Sequence, residues 1–150
     1  MRLVLFEPDI PQNAGSLLRL GACLGVAVDI VEPCGFVFSD AQMRRAGMDY
    51  LEHAEYVRHA SWEAYLTQNS EGRIVLLTSK GDVAYTEFAF APCDKIVLGR
   101  ESAGAPDFVH ARADARLRIP LRSGLRSINV AQAGAMVLGE ALRQTRNFPQ

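Results

Sequence analysis

Short runs dominated by Val, Ile and Leu alternate along this chain with segments of helical period, and that alternation constrains the fold more than any other feature. Arg2–Phe6, Ala27–Val31, residues 73–78 and Lys95–Leu98 are apolar nearly throughout, as strands buried on both faces of a sheet are. Briefer strand signals fall at Tyr56-Val57 and at residues 117–119. Between the first two runs, Leu17, Leu20 and Leu24 keep helical spacing, with Asn13 as the expected N-cap and Gly25 as the stop. Ser61 caps a second helix over Trp62–Gln68, Ser39 or Asp40 a short one ending at Arg45, and a last helix spans residues 128–143. Strands alternating with helices predict an α/β fold, a mostly parallel sheet flanked by helices, in one domain over residues 1–150.

Composition narrows the function classes. Hydrophobic residues make up 49% of the chain, enough for a packed core, and 16 basic residues against 17 acidic ones do not describe a protein that coats nucleic acid. The distribution is less even than the sum. Arg112, Arg116, Arg118, Arg122 and Arg126 share one stretch opposed only by Asp114, either a solvated face or a contact for a polyanion. Cys23, Cys34 and Cys93 are scattered, and His53, His59 and His110 have no ligand spacing, so neither a disulfide framework nor a metal site is expected. The apolar run after Arg2 is too short for a signal peptide or a membrane span, which points to a soluble, cytoplasmic protein without a membrane partner.

Three segments carry chemical content. The first is Glu7-Pro8-Asp9-Ile10-Pro11-Gln12-Asn13-Ala14-Gly15, a strand end and rigid loop leading into a helix start, with Arg19 placed to face the same crevice. The second is Gly99-Arg100-Glu101-Ser102-Ala103-Gly104-Ala105-Pro106, where glycine allows close approach to the backbone and Glu101 offers a partner for a cation or a ligand amine. The third runs from Ile119-Pro120-Leu121 to Arg126-Ser127-Ile128-Asn129, with Ser127 as the expected cap of the final helix. That helix is rich in Ala and Gly, which fits either core packing or a self-contact surface. Thr78-Ser79-Lys80-Gly81 ends a strand and borders the same crevice. No G-x-G-x-x-G follows the first strand, so a dinucleotide fold is poorly supported. A receiver-like module lacks the further acidic residue that it would need at a central strand end.

In this order and spacing the three segments resemble the SPOUT superfamily of RNA methyltransferases. The likeness is closest to the small single-domain tRNA 2′-O-methyltransferases of the TrmL/YibK group. Glu32-Pro33-Cys34-Gly35-Phe36 and Arg44-Arg45-Ala46-Gly47-Met48-Asp49-Tyr50 add to it, and it covers nearly the whole chain. The resemblance implies a C-terminal trefoil knot, a homodimer, and S-adenosyl-L-methionine held by Leu77, Thr78, Gly99, Glu101, Ile119, Leu121 and Ser127. It implies Arg19 as the catalytic arginine, with Asn13 and Asn129 beside the reacting groups. The implied substrate is the ribose of the wobble nucleotide, cytidine or a modified uridine, in the anticodon loop of tRNA, leucine tRNAs in the nearest group. Arg44, Arg45, Arg122 and Arg126 are the expected RNA contacts. Guanidinium stays charged in proteins, so Arg19 suits the developing alkoxide and the adjacent phosphate better than proton acceptance. The chain departs from the family pattern at Gln12, at Arg100 where proline is usual, at Val130-Ala131-Gln132, and at Gly139. These departures keep two alternatives open, methylation of ribosomal RNA and a knotted RNA-binding protein without turnover.

Overall fold

Each apolar run becomes a strand, and all the strands point the same way. The computed structural model describes residues 1–39, 41 and 51–150. Strands β1 (Arg2–Phe6), β2 (Ala27–Val31), β3 (Tyr56–His59), β4 (Ile74–Leu77), β5 (Val83–Ala84), β6 (Lys95–Leu98) and β7 (Ala115–Arg118) alternate with helices α1 (Pro11–Leu24), α2 (Trp62–Gln68), α3 (Asp107–Arg112) and α4 (Val130–Thr145). They form one seven-stranded sheet of order β3-β2-β1-β6-β4-β7-β5, with every pairing parallel. The α/β expectation holds. The helix expected between Ser39 or Asp40 and Arg45 lies outside the described residues, and Arg44 and Arg45 with it.

Side chains alternate between the two faces of the sheet with the period of two that a strand imposes. Leu3, Leu5, Val28, Ile30, Ile96 and Leu98 face Leu17 and Leu18 of α1 and Val137, Leu138 and Leu142 of α4 in the larger core. Val4, Phe6, Val31, Leu76 and Val97 face the opposite way, onto Trp62, Tyr65 and Val109. Small residues of α4 divide by face. Gly134 packs inward, where a Cβ would come within 2.8 Å of Leu17 and 2.9 Å of Leu98, whereas a Cβ on Gly139 would meet nothing within 4 Å. Core packing therefore explains one set and leaves the other on the outside.

The smaller core also holds a polar cluster. Asp29, only 1% exposed, accepts from Arg2 Nε at 2.5 Å and Nη2 at 3.0 Å, and pairs with His59 Nε2 at 2.8 Å. His59 Nδ1 and the Tyr65 hydroxyl are buried there without a hydrogen-bond partner among the described residues. Burial and the Asp29 charge push the Tyr65 phenol well above its ordinary range.

Helix boundaries differ from the sequence reading in ways that matter for the site. Helix α1 starts at Pro11 with Ile10 as N-cap, so Asn13 sits inside the first turn and is free to use its side chain elsewhere. Proline suits a first helical position because its missing N–H would have had no partner. Helix α4 is capped by Asn129, whose Oδ1 accepts from the N–H groups of Ala131 at 2.8 Å and Gln132 at 3.3 Å, and Ser127 lies outside it. Among the described strands and α-helices, two were not anticipated. Strand β5 has only two residues at the sheet edge and α3 only six, too few for a periodic signal. Ser61 and Gly25 behave as expected: Ser61 Oγ accepts from Ala64 N–H, and Gly25 takes φ 64°.

Candidate active site

A parallel sheet brings the C-terminal ends of its strands to one edge, and the loops leaving them meet there. The loops after β4, β6 and β7, together with the starts of α1 and α4, enclose a cavity of about 610 Å³. That volume lies in the usual range for a small-molecule site. Ile10, Leu77, Leu98, Ile119, Leu121 and Ile128 give it apolar walls, and Thr78, Ser127, Glu101 and Asn13 supply polar atoms.

One network ties the converging segments. Glu101 Oε2 accepts from the Asp9 backbone N–H at 2.8 Å, and its Oε1 accepts from Asn13 Nδ2 at 3.1 Å. Asn13 Oδ1 in turn accepts from Asn129 Nδ2 at 2.9 Å. Asn129 caps α4, so the β6 loop, the first turn of α1 and the start of α4 are fixed relative to one another by three side chains, Glu101, Asn13 and Asn129. Close approach does the rest. A Cβ on Gly99 would lie 2.6 Å from Ala105 N, and one on Gly81 would lie 2.3 Å from the Leu117 carbonyl carbon, so neither position has room for a side chain. Thr78 N–H donates to Leu117 O at 2.9 Å, which locks the β4 loop against β7.

The structure brings most of the expected residues together. Leu77, Thr78, Gly99, Glu101, Ile119, Leu121 and Ser127 all line the cavity, and so do Asn13, Asn129 and Arg126. Glu101 does more than face a ligand, since it is also the anchor of the network described above. Arg122 is exposed on the loop that carries Arg126 but does not line the cavity, and Arg44 and Arg45 lie outside the described residues. Arg19 does not share the crevice as expected. It is exposed on α1 and absent from the cavity wall. Six residues along a helix turn the side chain about 120° from Asn13. Sequence reasoning missed Ile10, Leu98, Arg100 and Ile128 as wall residues. Ile10 and Ile128 each stand at a helix start in an otherwise polar or proline-rich loop, a signal that was there to use.

Apolar walls of this size suit a purine ring, and a ribose and a charged tail can meet the polar side chains at the rim. The model of the SpoU rRNA methylase family matches residues 1–139. The chain belongs to this family. The SPOUT resemblance read from the three segments is thereby borne out. A relative, the tRNA (cytidine(34)-2'-O)-methyltransferase of Ancylobacter novellus, is 58% identical over 150 residues, covering 99% of this chain and 95% of its own. A solved structure described as giving insights into 2-OH methylation of C/U34 on tRNA is 37% identical, with a TM-score of 0.90, and the match covers 95% of this chain and 94% of that one. The AdoMet-bound rRNA methyltransferase of Sinorhizobium meliloti is 25% identical with a TM-score of 0.84, and the match covers 95% of this chain but 55% of that longer one. Among the described residues, no group of three or more His, Cys, Asp and Glu side chains could hold a metal ion. No helix among them is long and apolar enough to cross a membrane.

Proposed function

We infer that this chain methylates the 2′-hydroxyl of the ribose at nucleotide 34 of tRNA, with S-adenosyl-L-methionine as donor. The observation that carries the reading is the convergence of three backbone turns on one apolar cavity whose rim is held by Glu101, Asn13 and Asn129. Full-length relatives with that activity in their names support it. The bound donor supplies a methyl carbon made electrophilic by its sulfonium. Leu77, Leu98, Ile119 and Leu121 would hold its base, and Thr78, Gly99, Glu101 and Ser127 would meet its polar parts. These walls also exclude water from the reacting groups. Asn13 and Asn129 fix the orientation of the rim, and positioning is a large part of what such a displacement requires.

Arg19 has the role of stabilising the developing alkoxide and gripping the neighbouring phosphate. In one chain it stands outside the cavity, so the reading includes a homodimer in which the exposed face of α1 is brought against a second copy. The exposed or half-buried apolar residues Ala135, Met136 and Gly139 of α4 support this, since α4 packs against α1, on which Gln12, Ser16, Arg19 and Cys23 are exposed. Arg126 and Arg122, with Arg44 and Arg45, are the proposed RNA contacts. A C-terminal trefoil knot is also part of the proposal, supported by the contact of Gly81 with the backbone at Leu117 and Arg118. Cytidine or modified uridine in leucine tRNAs, met in the cytoplasm, is the substrate of choice.

Transfer of heavy-isotope methyl from the donor to unmodified tRNA and, separately, to ribosomal RNA tests the reading. Nuclease mapping is expected to find the label on the ribose of nucleotide 34 in tRNA. Label on ribosomal RNA alone, or RNA binding with no label anywhere, would refute it.

A further inference from the structure

The loops at residues 7–9 and 100–102 are clasped together. Asp9 N–H donates to Glu101, and Ser102 N–H donates to Asp9 Oδ2 at 3.0 Å, an oxygen that also accepts from the Ser102 hydroxyl. Glu7 forms an ion pair with Arg100 through Nη2. Glu101 and Ser102 are accounted for by this scaffold, but Arg100 is not. Its N–H donates to Gly104 O at 3.2 Å, and its carbonyl accepts from Gly104 N–H at 2.9 Å, so it sits in a closed turn. A proline, usual here in the family pattern, has neither that N–H nor a charge.

The pair is held with care. Glu7 has φ 45°, a left-handed conformation that costs a non-glycine residue energy and that persists only where surroundings enforce it. The Glu7 side chain is 12% exposed while that of Arg100 is 40% exposed, so the carboxylate is the buried anchor and the guanidinium the accessible member. Arg100 Nε is buried with no partner among the described residues. Arg100 also lines the cavity, as does Arg126 from a different loop. A guanidinium has five N–H donors in a planar fork, and that fork matches a phosphate.

We propose that Arg100, steered by Glu7, binds a phosphodiester oxygen of the substrate RNA next to the target ribose. This deepens the methyl-transfer reading and rests on it. Much of the wall is apolar, and Arg100 and Arg126 are the two cationic residues that line it among the described residues, so they are where an anionic group is met. The carboxylate of the donor's amino-acid tail offers the same oxyanion chemistry, and the test separates the two sources.

The experiment uses the full chain, unmodified tRNA, and the variants Arg100→Gln, Arg100→Lys and Glu7→Gln. Label on nucleotide 34 with the wild-type protein comes first; its absence defeats the parent reading rather than this one. With Arg100→Gln, the KM for tRNA is expected to rise roughly tenfold and the plot of log affinity against log salt to flatten by about 0.7, one phosphate contact on a single strand. The KM for the donor is expected to stay within about twofold, as a contact made only to RNA requires. Arg100→Lys, which keeps the charge and loses the fork, is expected to keep the salt slope and raise the KM for tRNA less. Glu7→Gln is expected to do the same, and these two variants carry the test if Arg100→Gln fails to fold. An unchanged tRNA KM and salt slope in all three would show a structural clasp only and overturn the proposal. Calorimetry with S-adenosylhomocysteine and with 5′-methylthioadenosine, which lacks the carboxylate, supplies the other arm. Weakened binding of the first alone would assign Arg100 to the donor and overturn the phosphate assignment.

Discussion

Two carboxylates organise two parts of this molecule, and they do different work. Asp29 gathers Arg2 and His59 in the smaller core, almost fully buried and away from the cavity. Glu101 gathers Asp9 and Asn13 at the strand ends, beside open volume. Both are hydrogen-bonded anchors that join separate segments. The difference is what lies next to them: close-packed side chains around one, room for a ligand around the other. A buried, hydrogen-bonded acid is therefore a poor guide to function unless space for a ligand adjoins it.

Variants can break or sharpen this contrast. Asp29→Ala leaves a half-buried Arg2 and a buried His59 without their anchor, and unfolding in urea should show a loss of about 3 kcal/mol. The protein that remains folded should still bind the donor. Glu101→Gln is the converse. Its stability should fall by only about 1 kcal/mol, while turnover drops roughly a hundredfold because the rim shifts. Equal losses of stability in the two variants would erase the distinction. Asn129→Ala removes the cap of α4 and its link to Asn13, for a loss of about 1 kcal/mol in denaturant melts.

Smaller effects test the buried side of the comparison. Tyr65→Phe deletes a hydroxyl that has no partner among the described residues. Its unfolding free energy should hold or rise, by up to about 1 kcal/mol; a large fall would reveal a hidden role for that hydroxyl. The least effect concerns Cys34, on the loop beside the site. Burial, then the Glu32 charge, pushes its thiol from 9.0 up to about 11. A folded value above the unfolded one means stabilisation that is complete below pH about 9 and lost as pH rises through about 11. Replacing Cys34 with Ala should flatten the stability profile in that window. At pH 8 iodoacetamide should reach exposed Cys23 and Cys93 before Cys34.

The strands of the central sheet were legible because buried parallel strands leave apolar runs that little else imitates. The cavity residues were legible through the ordered set of three loops, since each loop is weak alone. Local capping was read less well. Asn13 looks like a cap, but Pro11 starts the helix and releases Asn13 for Glu101, a partner 88 residues away that no local signal announces. Asn129 took the capping role expected of Ser127 and a second role beside Asn13. Arg19 was placed in the crevice from its nearness in sequence, and helical rotation carries it out. The Asp29 cluster joins positions 2, 29 and 59, which only strand register brings together.

The account stands on the cavity at the strand ends being the seat of the methyl donor. A co-crystal structure with S-adenosylhomocysteine tests this most directly. Density for the nucleoside between Leu77-Thr78, Gly99 and the turn at Ile119-Pro120-Leu121 is the predicted result. Density at any other place on the chain, with those loops empty, would contradict it.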